Sequence, residues 1–328
     1  LYGTSEIFAN ALRKATDGKF NIKVFAAGEI VPPLQVQDAV QNGTVEVGHT
    51  AGYYSLGKDS AFIFDTAAPF GMTARQQIAW MLHGNGMKLM RDLYASYNIM
   101  NFMGGQTGTQ MGGWFRKEIK TVADLKGLKF RIAGFAGNIL SKLGVVPQQQ
   151  PAGEIYSALE KGTIDAAEFV GPYDDEKLGL AKVAKNYYYP AWWEGGASLS
   201  FLVNKKKWDE LPPAYQAVWE GACFQAHAEM CAKYDALNPP ALQRLLQNGA
   251  VFSIRKYWMP VLQQPKKPTL RSRQKIPVSK PFMKTTDAFG IWRRSGLMSP
   301  SKRLPSTASI KNCSSQSMLR FNLTYAPR

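Results

Sequence analysis

Four residues stand out because their chemistry does not suit their surroundings. Glu168 ends the run IDAAEF, and Glu194 follows the pair Trp192-Trp193 in AWWEGG. An unpaired carboxylate is costly to bury in such apolar company, so each glutamate calls for a partner. Gln110 lies in the glycine-rich GGQTGTQMGG, just ahead of Trp114-Phe115. Arg131 sits on LKFRI, where strand alternation turns Leu128, Phe130 and Ile132 one way and Lys129 and Arg131 the other. Two carboxylates and an amide oxygen are hard donors that suit a cation such as Ca²⁺, while a guanidinium can grip a planar carboxylate through two hydrogen bonds. Taken singly, each residue also reads as a partly exposed polar group at a strand end. Taken together, they describe one site for a hard cation and an organic acid.

Other chemistries lack their parts. His49, His83 and His227 are far apart, and neither an HExxH pattern nor a zinc-type Cys/His spacing occurs. No G-x-S-x-G elbow is present. The segment GGQTGTQMGG lacks the Lys-Ser/Thr of a P-loop and the strand–helix setting of a dinucleotide fingerprint. An enzyme using the acidic pair as acid and base is the catalytic rival, and turnover would distinguish it from a receptor.

The elements that must position these residues alternate between helix and strand. TSEIFANALRKATDGKF predicts a helix with Thr4 or Ser5 as N-cap, Ile7, Phe8 and Leu12 inward, and Gly18 as the stop. FNIKVFAA alternates like a strand. DAVQNGTVEV and SALEKGTIDA, about 119 residues apart, share one plan: a helix end, a Gly-Thr turn, then a short strand. Gly43 and Gly162 are expected in the left-handed conformation that ends a helix. Two copies of one unit imply two α/β lobes, each with a mainly parallel sheet, and a ligand between lobes or near strand ends. SLSFLVN predicts a strand, and a long amphipathic helix follows Pro212-Pro213.

At 328 residues and 45% hydrophobic content the chain can build real cores, and it has no 18-residue apolar run. Its net charge of +16 is unevenly placed. Residues 255–328 hold 16 Lys+Arg against one acid, Asp287, so the basicity belongs to a tail and nucleic acid is not an expected partner. Three cysteines are too few for a disulfide framework and read as unpaired thiols. The chain opens at Leu1 directly in a helix-like segment and reads as a fragment without a signal peptide.

TQMGGWFRKEI, LKFRIAG, GEIYSALEKGTIDAAEFVGPYDD and YYYPAWWEGG resemble the extracytoplasmic substrate-binding subunits of TRAP transporters. The similarity runs from residue 1 to about 254 and is strongest to the branch taking 2-oxo and 2-hydroxy monocarboxylates such as pyruvate or lactate. It implies a two-lobed periplasmic binding protein of type II-like fold, non-catalytic, which delivers its ligand to membrane subunits. It further implies a bridging Na⁺ or Ca²⁺ held by Gln110, Glu168, the Phe169 carbonyl and Glu194, with Arg131 on the ligand carboxylate. Phe169 stands where the family often has tryptophan, and Gln106 where it often has asparagine, which puts a ligand contact there in doubt. Tyr53, Tyr54 and Trp193 are candidate wall residues, with core packing an equal reading. A dicarboxylate, sugar acid or amino acid derivative is the alternative ligand class.

By this resemblance, 1–105 form lobe I without its first strand, with a return segment at about 170–198, and 106–169 form lobe II with 199–254. Residues 255–328 depart from the family pattern, which continues R-E-V-L-D-A. With Lys256 as AAG, KYWMP read one base out of phase gives Val-Leu-Asp-Ala, so a frameshift near residue 255 is expected, leaving an aberrant, disordered tail. Without the C-terminal helices through which some relatives form homodimers, a dimer is not expected here, and a truncated product that no longer functions is the alternative reading of the coded chain.

Overall fold

The computed structural model describes residues 1–254. From the N-terminus, α1 (Tyr2–Ala15), α2 (Val36–Gln41), β1 (Val47–Thr50), α3 (Ile63–Thr66), α4 (Ala74–His83), α5 (Gly86–Ala95) and β2 (Ile99–Gln106) build the first lobe. The second lobe takes β3 (Gly113–Phe115), β4 (Lys129–Arg131), α6 (Ala136–Ser141), β5 (Val146–Gln148), α7 (Ala152–Lys161), β6 (Ala166–Ala167), α8 (Pro172–Lys177), α9 (Leu180–Val183) and β7 (Asn186–Tyr189). The chain then returns through β8 (Ser198–Asn204), α10 (Lys205–Asp209) and α11 (Pro213–Gln247), and ends its described part in β9 (Val251–Ile254).

Two sheets result. One has three strands in the order β1-β8-β2, and the other six in the order β5-β4-β6-β3-β7-β9. In the first sheet β8 runs antiparallel to both neighbours. The second is mixed: β4 pairs parallel with β5 and β6, β7 parallel with β9, and β3 antiparallel with β6 and β7. The expectation of mainly parallel sheets holds for the second, where β3 alone runs against the other strands, and is corrected for the first, where β8 runs against both neighbours.

The segment expectations need a matching correction. β7, within the proposed return segment 170–198, lies in the second sheet, whereas β8, assigned to lobe II, is buried along its length in the middle of the first. The helix α11 serves both lobes: Trp219 and Ala222 pack with Phe8 and Phe201, while Leu245 packs with Trp114 and Tyr187.

Local signals were realised where the chain alone decides the structure. Gly43 and Gly162 take φ of 74° and 73°, and the amides of Thr44 and Thr163 close back onto the carbonyls of Ala39 and Ala158. Both helix–glycine–strand units are present, α2 with β1 and α7 with β6. α1, however, starts at Tyr2, so Thr4 and Ser5 lie inside it, and Ser5 Oγ is bonded at 3.1 Å to His49 Nδ1 instead of capping.

Residues 20–25 alternate between half-buried and exposed, as a strand would, yet pair with no strand among the described residues. Alternation prepares a strand, but a ladder partner makes one. The frameshift and disorder expected of 255–328 lie outside the described residues, as does Cys313; Cys223 and Cys231 carry free thiols. No described helix is long and apolar enough to cross a membrane.

Candidate ligand and cation site

The second sheet brings the flagged residues together through its backbone. Arg131 closes β4, and the Glu168 amide donates to the Arg131 carbonyl at 2.9 Å, extending the β4–β6 ladder by one bond. The strand β3 lies between β6 and β7, and just ahead of it the Met111 amide donates to Val170 O at 3.0 Å. Gln110 sits on the same approach. Its amide donates to Glu194 O at 3.3 Å and its carbonyl accepts from the Ala191 amide at 3.1 Å. The fit is close enough to demand glycine at 113: a Cβ there would stand 2.7 Å from Ala167 O, at a φ of 100°.

All three charged side chains are sealed from solvent, with relative exposures of 1% for Arg131, 1% for Glu168 and 2% for Glu194. Arg131 donates from Nε to Gln150 O at 3.1 Å and from Nη1 to Glu168 O, and Nη1 stands 3.7 Å from Glu168 Oε2. Its guanidinium carbon lies 5.6 Å from the centre of the Phe169 ring.

Burial, reinforced by the charge of Glu194 and opposed by Arg131, lifts the Glu168 pKa well above the usual carboxylate range. Burial also pushes Glu194 up to about 7, against the pull of the Tyr53 hydroxyl and Arg131. Tyr53 and Tyr54 are raised too, first by burial, with both glutamates adding and Arg131 subtracting. The two carboxyl groups, the guanidinium and both phenols therefore form one electrostatic cluster.

Its unmet valences are specific. Gln110 Oε1, both carboxyl oxygens of Glu168 and Glu194 Oε2 are buried without a hydrogen-bond partner. Buried polar atoms are normally satisfied, so four orphaned oxygens among these three side chains match the donor set of a hard cation. Among the described residues no three His, Cys, Asp or Glu cluster in this way, so an all-acidic or histidine centre is not built here.

A cavity of about 1020 Å³ adjoins the cluster, with Tyr53, Tyr54, Gln110 and Phe169 in its wall. Arg131, Glu168 and Glu194 do not line it but lie buried behind that wall. We locate the chemistry in the sealed cluster, where the orphaned oxygens are, and regard the cavity as the open space in front of it. One candidate wall residue, Trp193, and the candidate ligand contact Gln106 have other settings. Trp193 packs in the second lobe's core with Phe130, ring centroids 6.3 Å apart. Gln106 is engaged at both ends of its amide: its Nε2 donates to Gln77 Oε1 at 3.1 Å and its Oε1 accepts from the Gly108 amide at 3.2 Å.

Sequence reasoning missed two residues here. Asp175, buried in the first turn of α8, accepts from Trp114 Nε1 at 3.0 Å and from the Tyr187 hydroxyl at 2.7 Å, and its charge adds to the rise at Glu168. An acid in the first helical turn opened by Gly171-Pro172 was its signal, one shared by many exposed helix starts. Thr107, which touches Gln110, carried no signal beyond being a small residue in a glycine-rich turn.

The comparisons agree on one family. The model described as bacterial extracellular solute-binding protein, family 7, matches residues 1–266. A monocarboxylate 2-oxoacid-binding periplasmic protein of Nostoc sp. (strain PCC 7120) is 55% identical over 245 residues, covering 75% of this chain and 67% of the relative. A TRAP transporter solute binding protein from Bordetella bronchiseptica RB50, solved as a mixed-occupancy dimer with copurified calcium and picolinate, is 48% identical, with a TM-score of 0.83 over 90% of each chain. A TRAP periplasmic solute binding protein from Pseudoalteromonas atlantica T6c, with bound sodium and pyruvate, is 43% identical, with a TM-score of 0.75 over 79% of each chain. The chain belongs to this family of TRAP-type extracellular solute-binding proteins. It spans about two thirds of the length of the curated relatives it matches.

Proposed function

We propose that the protein is a periplasmic receptor that captures a small 2-oxo or 2-hydroxy monocarboxylate and hands it, chemically unchanged, to the membrane subunits of a TRAP transporter. Arg131 holds the ligand carboxylate. Gln110, Glu168, the Phe169 carbonyl and Glu194 hold a Na⁺ or Ca²⁺ that bridges ligand and protein, and Tyr53, Tyr54 and Phe169 form the wall. The cation, when bound, would supply positive charge that, with Arg131, offsets the two glutamates and attracts the ligand oxygens.

The observation that carries this reading is the coincidence of four partnerless oxygens with a sealed arginine. A buried acidic pair left in that state would be destabilising, and a cation with a carboxylate ligand balances it. The names of the relatives support the same ligand class, since 2-oxoacid, pyruvate and picolinate all present a carboxylate beside a second donor atom.

The test is a thermal-shift series of the full chain against pyruvate, lactate and succinate, each with CaCl₂, with NaCl or with chelator. Binding to the folded state raises the melting temperature, and a rise that needs both a monocarboxylate and a cation is the expected result. A response to pyruvate undiminished by chelator in sodium-free buffer would refute the bridging cation. Succinate outperforming pyruvate would move the ligand class to dicarboxylates.

A further inference from the structure

We infer that Thr107 sets which end of the Gln110 side-chain amide is offered to the cation. The inference rests on the reading of Gln110 as a cation ligand. A hydroxyl has one hydrogen to donate and two positions at which to accept. The Thr107 hydroxyl donates to Gly108 O at 2.9 Å and accepts from the Ala197 amide at 3.1 Å. One accepting position remains, and Gln110 Nε2 donates into it at 3.1 Å.

The amide therefore has a fixed polarity. Turning it over would set Gln110 Oε1 against Thr107 Oγ1, where a hydrogen is available only if Thr107 gives up its bond to Gly108 O, and would bury the NH₂ group where the partnerless oxygen now lies. The backbone at 110 cannot relieve this, because both its polar groups are tied to the loop carrying Glu194. Thr107 is thus a positioning residue, and Gly108 keeps its hydrogen occupied. Gln106 and Gln77 extend the support, since the Gly108 amide donates to Gln106 Oε1, and Gln77 Nε2 is anchored on the carbonyls of Asp65 and Thr66.

A plain structural role, stapling the loop at Ala197, is the rival, and it is separable. In the full chain, Ca²⁺ affinity is measured by calorimetry with CaCl₂, with and without pyruvate, for Thr107→Val, Thr107→Ser, Gln110→Ala and Gln110→Glu, and for Thr107→Val combined with Gln110→Glu. Outer-shell partners of a metal ligand are worth roughly 10- to 100-fold in affinity, and Thr107→Val should lose that much. Thr107→Ser should restore it to within about threefold, because its hydroxyl has the same bonding capacity. A carboxylate offers oxygen at either end, so in the Gln110→Glu background Thr107→Val should change affinity by less than about threefold.

A full-sized loss in that background overturns the inference in favour of the staple. Parental affinity in Thr107→Val together with loss in Gln110→Ala also overturns it while sparing the proposed function. Parental affinity in Gln110→Ala removes Gln110 from the cation site and the inference with it. Should Thr107→Val not fold, the parent protein answers instead by ¹⁵N NMR, with the Gln110 side-chain signals assigned against Gln110→Glu. Slow exchange of one Nε2 proton without metal is expected, and exchange at the rate of an unbonded amide overturns the inference.

Discussion

Asp175 and Glu168 are two buried carboxyl groups of one lobe, seven residues apart in sequence, and they are treated in opposite ways. Asp175 receives an indole N–H and a phenol O–H on one oxygen and a backbone amide on the other. Neither oxygen of Glu168 has a hydrogen-bond partner of good geometry, the Ala133 amide exerting only a weak pull on its pKa, and the carboxyl faces a second glutamate and an arginine. Burial pushes both pKa values up, to about 7 for Asp175, so the pKa alone does not separate them. Satisfaction does. A carboxylate whose lone pairs are filled by its own fold is architecture, and one whose lone pairs stay open beside an arginine is a place for something else.

The largest expected effect tests the arginine half of that contrast. Arg131→Ala leaves the ligand carboxylate without its guanidinium and Glu168 without the cationic side chain beside it. Truncating one partner of a buried, hydrogen-bonded charge pair costs about 2–5 kcal/mol, so pyruvate affinity should fall by at least roughly 30-fold, read by calorimetry in CaCl₂. An affinity within about threefold of the parent would remove Arg131 from the ligand site.

The contrast itself is broken or upheld by a pair of isosteric changes. Asp175→Asn must set its NH₂ either against the Val170 amide or against the indole and phenol donors together. It should destabilise the metal-free protein by about 1–3 kcal/mol, seen as a lower urea midpoint, with Ca²⁺ affinity almost unchanged. Glu168→Gln should do the reverse, leaving metal-free stability equal or higher while Ca²⁺ binding weakens at least roughly tenfold. Identical behaviour of the two variants would erase the distinction between a satisfied and an open carboxyl.

Titration offers a milder test. Asp65 accepts hydrogen bonds from Tyr94 and Ser200 at 2.8 Å each, and burial places its pKa at about 6, as it places that of Asp175 at about 7. An unfolded aspartate titrates near roughly 3.9, so both folded values are raised. The folded state then binds more protons than the unfolded state, and stability falls as pH rises from about 4 to about 7 before levelling off. Thermal melts in chelator should show that slope, and Asp65→Asn should flatten its part between about 4 and about 6. A metal-free protein whose stability rises through this window would show that these carboxyl groups are not buried as described.

What the sequence disclosed follows the range of the interactions involved. Helix ends at Gly43 and Gly162 depend on neighbouring residues alone, and both were legible. Arg131, Glu168 and Glu194 were legible because a charge in an apolar run is a local contradiction. The sheet that takes β8 depends on partners at positions 47–50 and 99–106, and nothing within SLSFLVN encodes that choice. Residues 20–25 have the alternation of a strand but no ladder partner among the described residues, so the local pattern overcalled the element. Gln106 looked available for a ligand because its consumer, Gln77, sits on a helix 29 residues earlier. Thr107 was invisible for the same reason, since its role exists only once Ala197 and Gln110 are beside it.

The smallest expected effect separates the two parts of one residue. The Phe169 side chain lies in the cavity wall with Arg131 over its ring, while its carbonyl is assigned to the cation. A desolvated cation–π contact is worth about 0.5–2 kcal/mol, so Phe169→Leu should weaken pyruvate binding by roughly 2- to 30-fold. The carbonyl belongs to the backbone and is the same in leucine, so Ca²⁺ affinity measured without pyruvate should stay within about threefold of the parent. Phe169→Trp keeps an aromatic face over Arg131 and should retain pyruvate affinity, with any change confined to which acids fit the wall. Loss of Ca²⁺ binding in Phe169→Leu would mean that ring and carbonyl do not act separately, and the boundary drawn here between cation cage and ligand wall would have to be moved.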